Sequence, residues 1–226
     1  MAIRTVGVVG SGQMGSGIAQ VAACCGMEVT MVDIKQEYLD RGVSAISNSL
    51  EKLVSKERMS REDADSAFSR IDSSVELESL SDCDLVVEAI PEVPELKFST
   101  FSKLDSICKP QAILASNTSS ISINEIARHT NRADRVIGMH FMNPVPIMKL
   151  VEIINGSETS EEVTSQVISA SEEMGKTPLP CRDSPGFVSN RILMPMINEA
   201  ILTLQEGVAD PEAIDGIMKL GMNHPI

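Results

Sequence analysis

The sequence predicts an α/β protein, a Rossmann-type doubly wound sheet followed by the beginning of an all-helical C-terminal domain. Three observations carry that expectation. Strand-like and helix-like segments alternate along most of the 226 residues, the signature of a sheet wound with crossover helices. A glycine-rich GxGxxG run joins the first predicted strand to the first predicted helix. Past Pro185-Gly186 only helical periodicity remains.

In chain order, Val6–Val9 reads as a strand, Gln13–Cys25 as a helix and Glu28–Val32 as a second strand. From Gln36 to Lys56 the apolar residues Leu39, Val43, Ile46, Leu50 and Leu53 recur at helical spacing. A shorter helix at Arg61–Ser69 pairs with it, so a helical hairpin is expected over residues 36–69. Strand signals return near Ile71, at Leu85–Glu88, Ile113–Ser116, Arg135–His140 and Leu150–Ile154. Helices fit Glu95–Ile107, Ile123–Thr130 and Glu161–Met174. The stretch Leu179–Gly186 has the Pro and Gly of a hinge. Two helical segments follow, Phe187–Gln205 and Pro211–Leu220. So short a helical tail makes a poor independent core, and the second domain is expected to be incomplete. The expected division is 1–183 for the sheet domain and 184–226 for the start of the helical one.

Composition narrows the function classes. A net charge of −13 argues against general binding to nucleic acid or anionic membrane. No apolar run has the length of a membrane span. Five cysteines, two of them adjacent at Cys24-Cys25, form neither a disulfide framework nor a metal pattern, so no metal site is expected. The first strand begins at once, leaving no room for a targeting peptide. A cytoplasmic location is the expectation, with a peroxisomal one as the alternative, since any C-terminal address would lie beyond Ile226.

The run Gly10-Ser11-Gly12-Gln13-Met14-Gly15 has a mechanism in its strand-to-helix setting. Gly10 makes the tight turn, Gly12 lets backbone amides approach a pyrophosphate, and Gly15 lets the helix pack closely. The helix N-terminus offers unsatisfied N–H groups to phosphates. Asp33, closing the second strand, is placed to accept hydrogen bonds from a ribose. This favours NAD over a cofactor with a 2′-phosphate. The strand Leu85–Glu88 leads into Glu92 and Lys97, where the cofactor crevice of such a sheet opens. By spacing alone they read as a loop acid and a surface lysine. Ser116-Asn117-Thr118-Ser119-Ser120 follows another strand, as a helix cap or as hydroxyls facing the crevice.

One of only three histidines, His140, ends an apolar run. A Pro-containing loop with Asn143 follows, then a run containing Glu152. A glutamate among strand apolars needs a partner to offset its desolvation. If the two runs pair as strands, Glu152 lies beside His140 and stabilises its charged form, as general acid/base chemistry requires.

These motifs, together with Val86-Val87-Glu88-Ala89, His140-Phe141-Met142-Asn143-Pro144, Met148–Glu152 and Pro185–Arg191, resemble the L-3-hydroxyacyl-CoA dehydrogenase family, and most closely its short-chain 3-hydroxybutyryl-CoA form. The resemblance covers essentially the whole chain. It implies oxidation of a 3-hydroxyacyl-CoA by NAD, with His140, Glu152, Ser119 and Asn190 as catalytic residues. It implies cofactor contacts from Gly10–Gly15, Asp33, Glu92, Lys97 and Asn117. It also implies acyl-CoA contacts from Ser49, Lys56, Ser119 and Asn143, and a homodimer whose interface helices are largely missing here. Two other readings stay open: a CoA-independent 3-hydroxyacid dehydrogenase, and a non-catalytic dinucleotide-binding protein on the same scaffold.

Overall fold

The computed structural model describes residues 2–224 and divides the chain into two compact units, 1–185 and 186–226. The first unit runs β1 (Thr5–Val9), α1 (Gln13–Cys24), β2 (Glu28–Val32), α2 (Gln36–Ser55), α3 (Arg61–Ser69), β3 (Ile71–Ser74), β4 (Leu85–Glu88) and α4 (Pro94–Ile107). It continues through β5 (Ile113–Ser116), α5 (Ile123–Ala127), β6 (Val136–Phe141), β7 (Leu150–Asn155), α6 (Glu161–Glu173) and β8 (Thr177–Arg182). All eight strands join one sheet in the order β3-β2-β1-β4-β5-β6-β7-β8. Pairing is parallel except between β6 and β7.

The central strands β1, β4, β5 and β6 are buried almost throughout. This is why they read as unbroken apolar runs rather than alternating ones. Chain progression reverses between β1 and β4, and a doubly wound sheet opens its binding crevice at the carboxyl ends of such a pair. At the opposite end, Asp84 ties the two strands together. Its carboxylate accepts the N–H groups of Arg4 (2.8 Å) and Thr5 (3.0 Å) and an ammonium hydrogen bond from Lys109 (2.7 Å). On α2, Leu39, Ile46 and Leu50 are buried at the helical spacing that their positions predict.

Three expectations are corrected. Thr177–Arg182 is an edge strand, where the prolines had suggested only a hinge. Pro178 and Pro180 lie two residues apart, so both missing N–H groups belong to the same, outward side. The N–H groups of Thr177 and Asp183, on the inward side, donate to carbonyls of Lys149 and Asn155. The fifth helix ends at Ala127 rather than Thr130. In the second unit α7 (Ser189–Gln205) starts two residues later than its periodicity suggests, because Gly186 and Phe187 have φ of +74° and +50° and cannot be helical. The α8 helix (Pro211–Gly221) begins at Asp210, whose side chain accepts the N–H of Ala213, with Pro211 in the first turn. No residue of α7 or α8 is buried.

Candidate active site

The glycine-rich turn is built for a close-approaching anion. Gly10 has φ of +101°, and a Cβ there would lie 2.6 Å from the Ala89 carbonyl oxygen. A Cβ on Gly15 would meet the Gly10 carbonyl oxygen at 1.7 Å, so the helix could not seat against the turn. Gly12, by contrast, faces open space. The α1 helix begins there with no side-chain cap and no acidic residue in its first turn, which leaves its first N–H groups and its positive dipole end available to a phosphate.

Asp33 organises this turn from the end of β2. One oxygen accepts both the N–H (2.7 Å) and the hydroxyl (2.8 Å) of Ser11, and the other accepts the N–H of Ile34 (2.7 Å). A cleft of about 1340 Å³ runs from Gly10–Met14 past Asp33 and Tyr38 to Ala89–Pro91 and Leu96. Its volume, its backbone donors and the Asp33 carboxylate fit a dinucleotide without a 2′-phosphate.

Further along the carboxyl ends of the strands stands the second constellation. His140 and Glu152 are directly opposite in the β6–β7 ladder, so their side chains share a face. The His140 Nδ1 lies 2.7 Å from Glu152 Oε2, with the two residues 8% and 4% exposed. An ionised carboxylate only accepts, so facing one, Nδ1 would be the ring nitrogen that donates. Asn117, just past β5, is fixed beside this pair because its side-chain oxygen accepts the N–H of Phe141 (2.9 Å). Beneath the β6–β7 turn the buried ammonium of Lys176 donates to the carbonyls of Val145 and Met148, and burial holds its pKa below the usual lysine range.

Glu92 gathers the turn after β5. One of its oxygens accepts the hydroxyl of Thr118 (2.5 Å), the N–H groups of Ser119 (3.0 Å) and Ser120 (3.1 Å), and the Ser120 hydroxyl (2.9 Å). Partial burial raises its pKa, but the Thr118 hydrogen bond and the Lys97 charge outweigh this and hold the carboxyl below the usual range. The Ser-Asn-Thr-Ser-Ser segment is therefore not the cap of α5, a part taken by Ser122.

With this geometry in view, comparison with known proteins is informative. Residues 5–184 match the NAD-binding domain of 3-hydroxyacyl-CoA dehydrogenase, and residues 186–226 match the C-terminal domain of the same family. The chain belongs to the 3-hydroxyacyl-CoA dehydrogenase family. It is 56% identical to a probable 3-hydroxybutyryl-CoA dehydrogenase of Deinococcus radiodurans, over 97% of this chain and 79% of that one. It is 53% identical to a protein of the same description from Bacillus subtilis, over 100% and 79%. Among solved structures, (S)-3-hydroxybutyryl-CoA dehydrogenase of Ralstonia eutropha superposes with a TM-score of 0.98 at 50% identity, covering 100% of this chain and 80% of that one. The protein is thus an NAD-dependent oxidoreductase by family.

Within this dehydrogenase framework the first unit brings Glu92, Asn117, Ser119 and His140 to the carboxyl ends of β4, β5 and β6, and Glu152 to the same end of the sheet near the start of antiparallel β7. Asn143 is exposed in the turn between β6 and β7. Ser49 is half-buried in the penultimate turn of α2, and exposed Lys56 caps that helix. Asn190 belongs to the second unit, in the first turn of α7. Lys97 is 1% exposed rather than a surface lysine, its ammonium held by Glu88, Glu92 and the Ile90 carbonyl. Residue-by-residue reading passed over Glu88. The signal was present, since a glutamate among Leu85, Val86 and Val87 raises the same question of a partner that singled out Glu152.

Proposed function

We propose that this protein interconverts (S)-3-hydroxybutyryl-CoA and acetoacetyl-CoA, with His140 as the general acid/base. The observation that carries the reading is the buried 2.7 Å contact between His140 and Glu152 at one register position, beside an NAD-type cleft. The names of the 56% and 50% identical relatives support the substrate class. In the oxidative direction His140 Nε2 takes the proton of the 3-hydroxyl group, and C3 gives up its hydride. NAD, when bound, accepts that hydride. The Glu152 carboxylate then faces a cationic imidazolium and stabilises it. Ser119 holds the substrate oxygen on which charge develops, an electrostatic contribution. In reduction the imidazolium returns its proton to the same oxygen.

Gly10, Ser11, Gly12, Gln13, Met14 and Gly15 hold the pyrophosphate, and Asp33 takes the adenosine ribose. Glu92, Lys97 and Asn117 serve the nicotinamide end. Ser49, Lys56 and Asn143 engage the acyl-CoA. The test is consumption of NADH by the purified chain with acetoacetyl-CoA and, separately, with free acetoacetate. Rapid turnover of the thioester and little of the free acid is expected. Equal rates with both would remove CoA from the reading.

A further inference from the structure

Glu88 closes β4 with a carboxylate that is completely buried, and nothing in the reaction described above uses it. One of its oxygens accepts the Lys97 ammonium (2.5 Å) and the N–H of Ile90 (2.7 Å), and the other accepts the Ser116 hydroxyl (2.7 Å). Lys97 comes from the first turn of α4 and is itself 1% exposed. Its ammonium also donates to the Ile90 carbonyl (3.2 Å) and forms an ion pair with Glu92 Oε2 at 3.2 Å. With that oxygen engaged, the other oxygen of Glu92 is aimed at Thr118, Ser119 and Ser120. A single charged chain therefore runs from β4 through α4 to the turn after β5.

We propose that Glu88 is a positioning residue for the active site: it clamps Lys97, which orients Glu92, which in turn fixes the 118–120 turn and with it Ser119. A buried ion pair is a poor device for stability alone, because well-packed apolar residues in its place are often neutral or better. What the pair supplies is direction. Glu92 lies on a loop with its side chain 38% exposed, and without the buried cation its carboxylate would be held only by the hydroxyls and amides of the turn it is meant to fix. Glu88, itself fully buried, anchors that cation from the interior. The consequence for turnover rests on the proposed role of Ser119; the positional effect does not.

A double-mutant cycle separates positioning from simple structural support. Lys97→Met leaves the buried Glu88 carboxylate without its counter-charge and Glu88→Gln leaves the Lys97 ammonium with only the partly exposed Glu92, and both are expected to lower Tm. The double variant Glu88→Gln/Lys97→Met removes the pair and is expected to regain Tm. Its Ser119 and Ser120 amide protons, followed by NMR hydrogen exchange without substrate, are expected to exchange roughly tenfold faster than in the parent. Its kcat with acetoacetyl-CoA is expected to fall by roughly tenfold. Parent-like amide exchange in the double variant would overturn the proposal. Glu92→Ala, a change at a partly exposed loop residue, is expected to accelerate the same two amides with little change in Tm; unchanged exchange there would overturn it equally. If the parent failed to reduce acetoacetyl-CoA, the proposed function would fall, while the exchange data would still decide the positioning role.

Discussion

An imidazole that must gain and lose a proton inside a protein needs a neighbour that lowers the cost of its charged form. The Glu152 carboxylate meets His140 at 2.7 Å in a setting where water contributes little screening. Replacing Glu152 by Gln keeps the size of the side chain and removes its charge. The variant is expected to bind NADH as the parent does and to turn over roughly a hundredfold more slowly. Fluorescence titration with NADH and steady-state kinetics check the two halves separately. At the other end of the crevice, Gly15→Ala would push a Cβ into the Gly10 carbonyl. Its expected result is the reverse: weakened NADH binding, by roughly tenfold or more, since the turn must open before α1 can seat. Both residues were legible in the sequence, one as a charge stranded among apolars and the other through the GxGxxG spacing. Glu88 carried the first of those signals equally well. Lys97 was not legible as a buried cation, because its burial depends on what α4 packs against and not on its spacing.

At the scale of elements, Asp84 fastens the start of β4 to that of β1 and holds Lys109. Burial opposes ionisation of Asp84, but the hydrogen bonds from Lys109, Arg4 and Thr5 prevail and lower its pKa to about 2 from the ordinary 3.8. A carboxyl depressed on folding stabilises the protein fully above about pH 4 and loses that contribution as the pH falls through about 2. Asp84→Asn is therefore expected to cost about 2 kcal/mol near neutral pH, a difference that shrinks as the pH falls through about 2 and vanishes only below it. Denaturant titrations of both proteins across that range check it. The elements most readable from sequence were those whose burial imposes a period, such as α2 and the central strands. The edge strand β8 was not, since Pro178 and Pro180 look like breakers until their shared outward side is known. The start of α7 was obscured for a related reason, as periodicity says nothing of the positive φ at Gly186 and Phe187.

At the scale of the molecule, strand order places the dinucleotide cleft and the His140–Glu152 pair on one end of one sheet, with β1 and β4 supplying the first and β6 and β7 the second. Alternation of strands and helices was enough to anticipate that end as the functional one, because carboxyl ends at a reversal of strand order are where such sheets open. Which side chains meet there was less legible: Asn117 bonding to Phe141 and Glu92 gathering Thr118 join segments far apart in sequence. Because the cleft is a property of the folded first unit, NADH at a hundredfold excess over its Kd is expected to stabilise that unit by about 2.7 kcal/mol. A thermal or denaturant transition unmoved by saturating NADH would contradict this.

The central claim is that His140 transfers the proton in a reaction in which NADH supplies the hydride. The most direct measurement compares kcat for acetoacetyl-CoA reduction by His140→Ala and by the parent, with the NADH Kd of each determined in parallel. The account predicts a kcat lower by roughly a thousandfold with NADH affinity retained. Parent-like turnover by His140→Ala would contradict it.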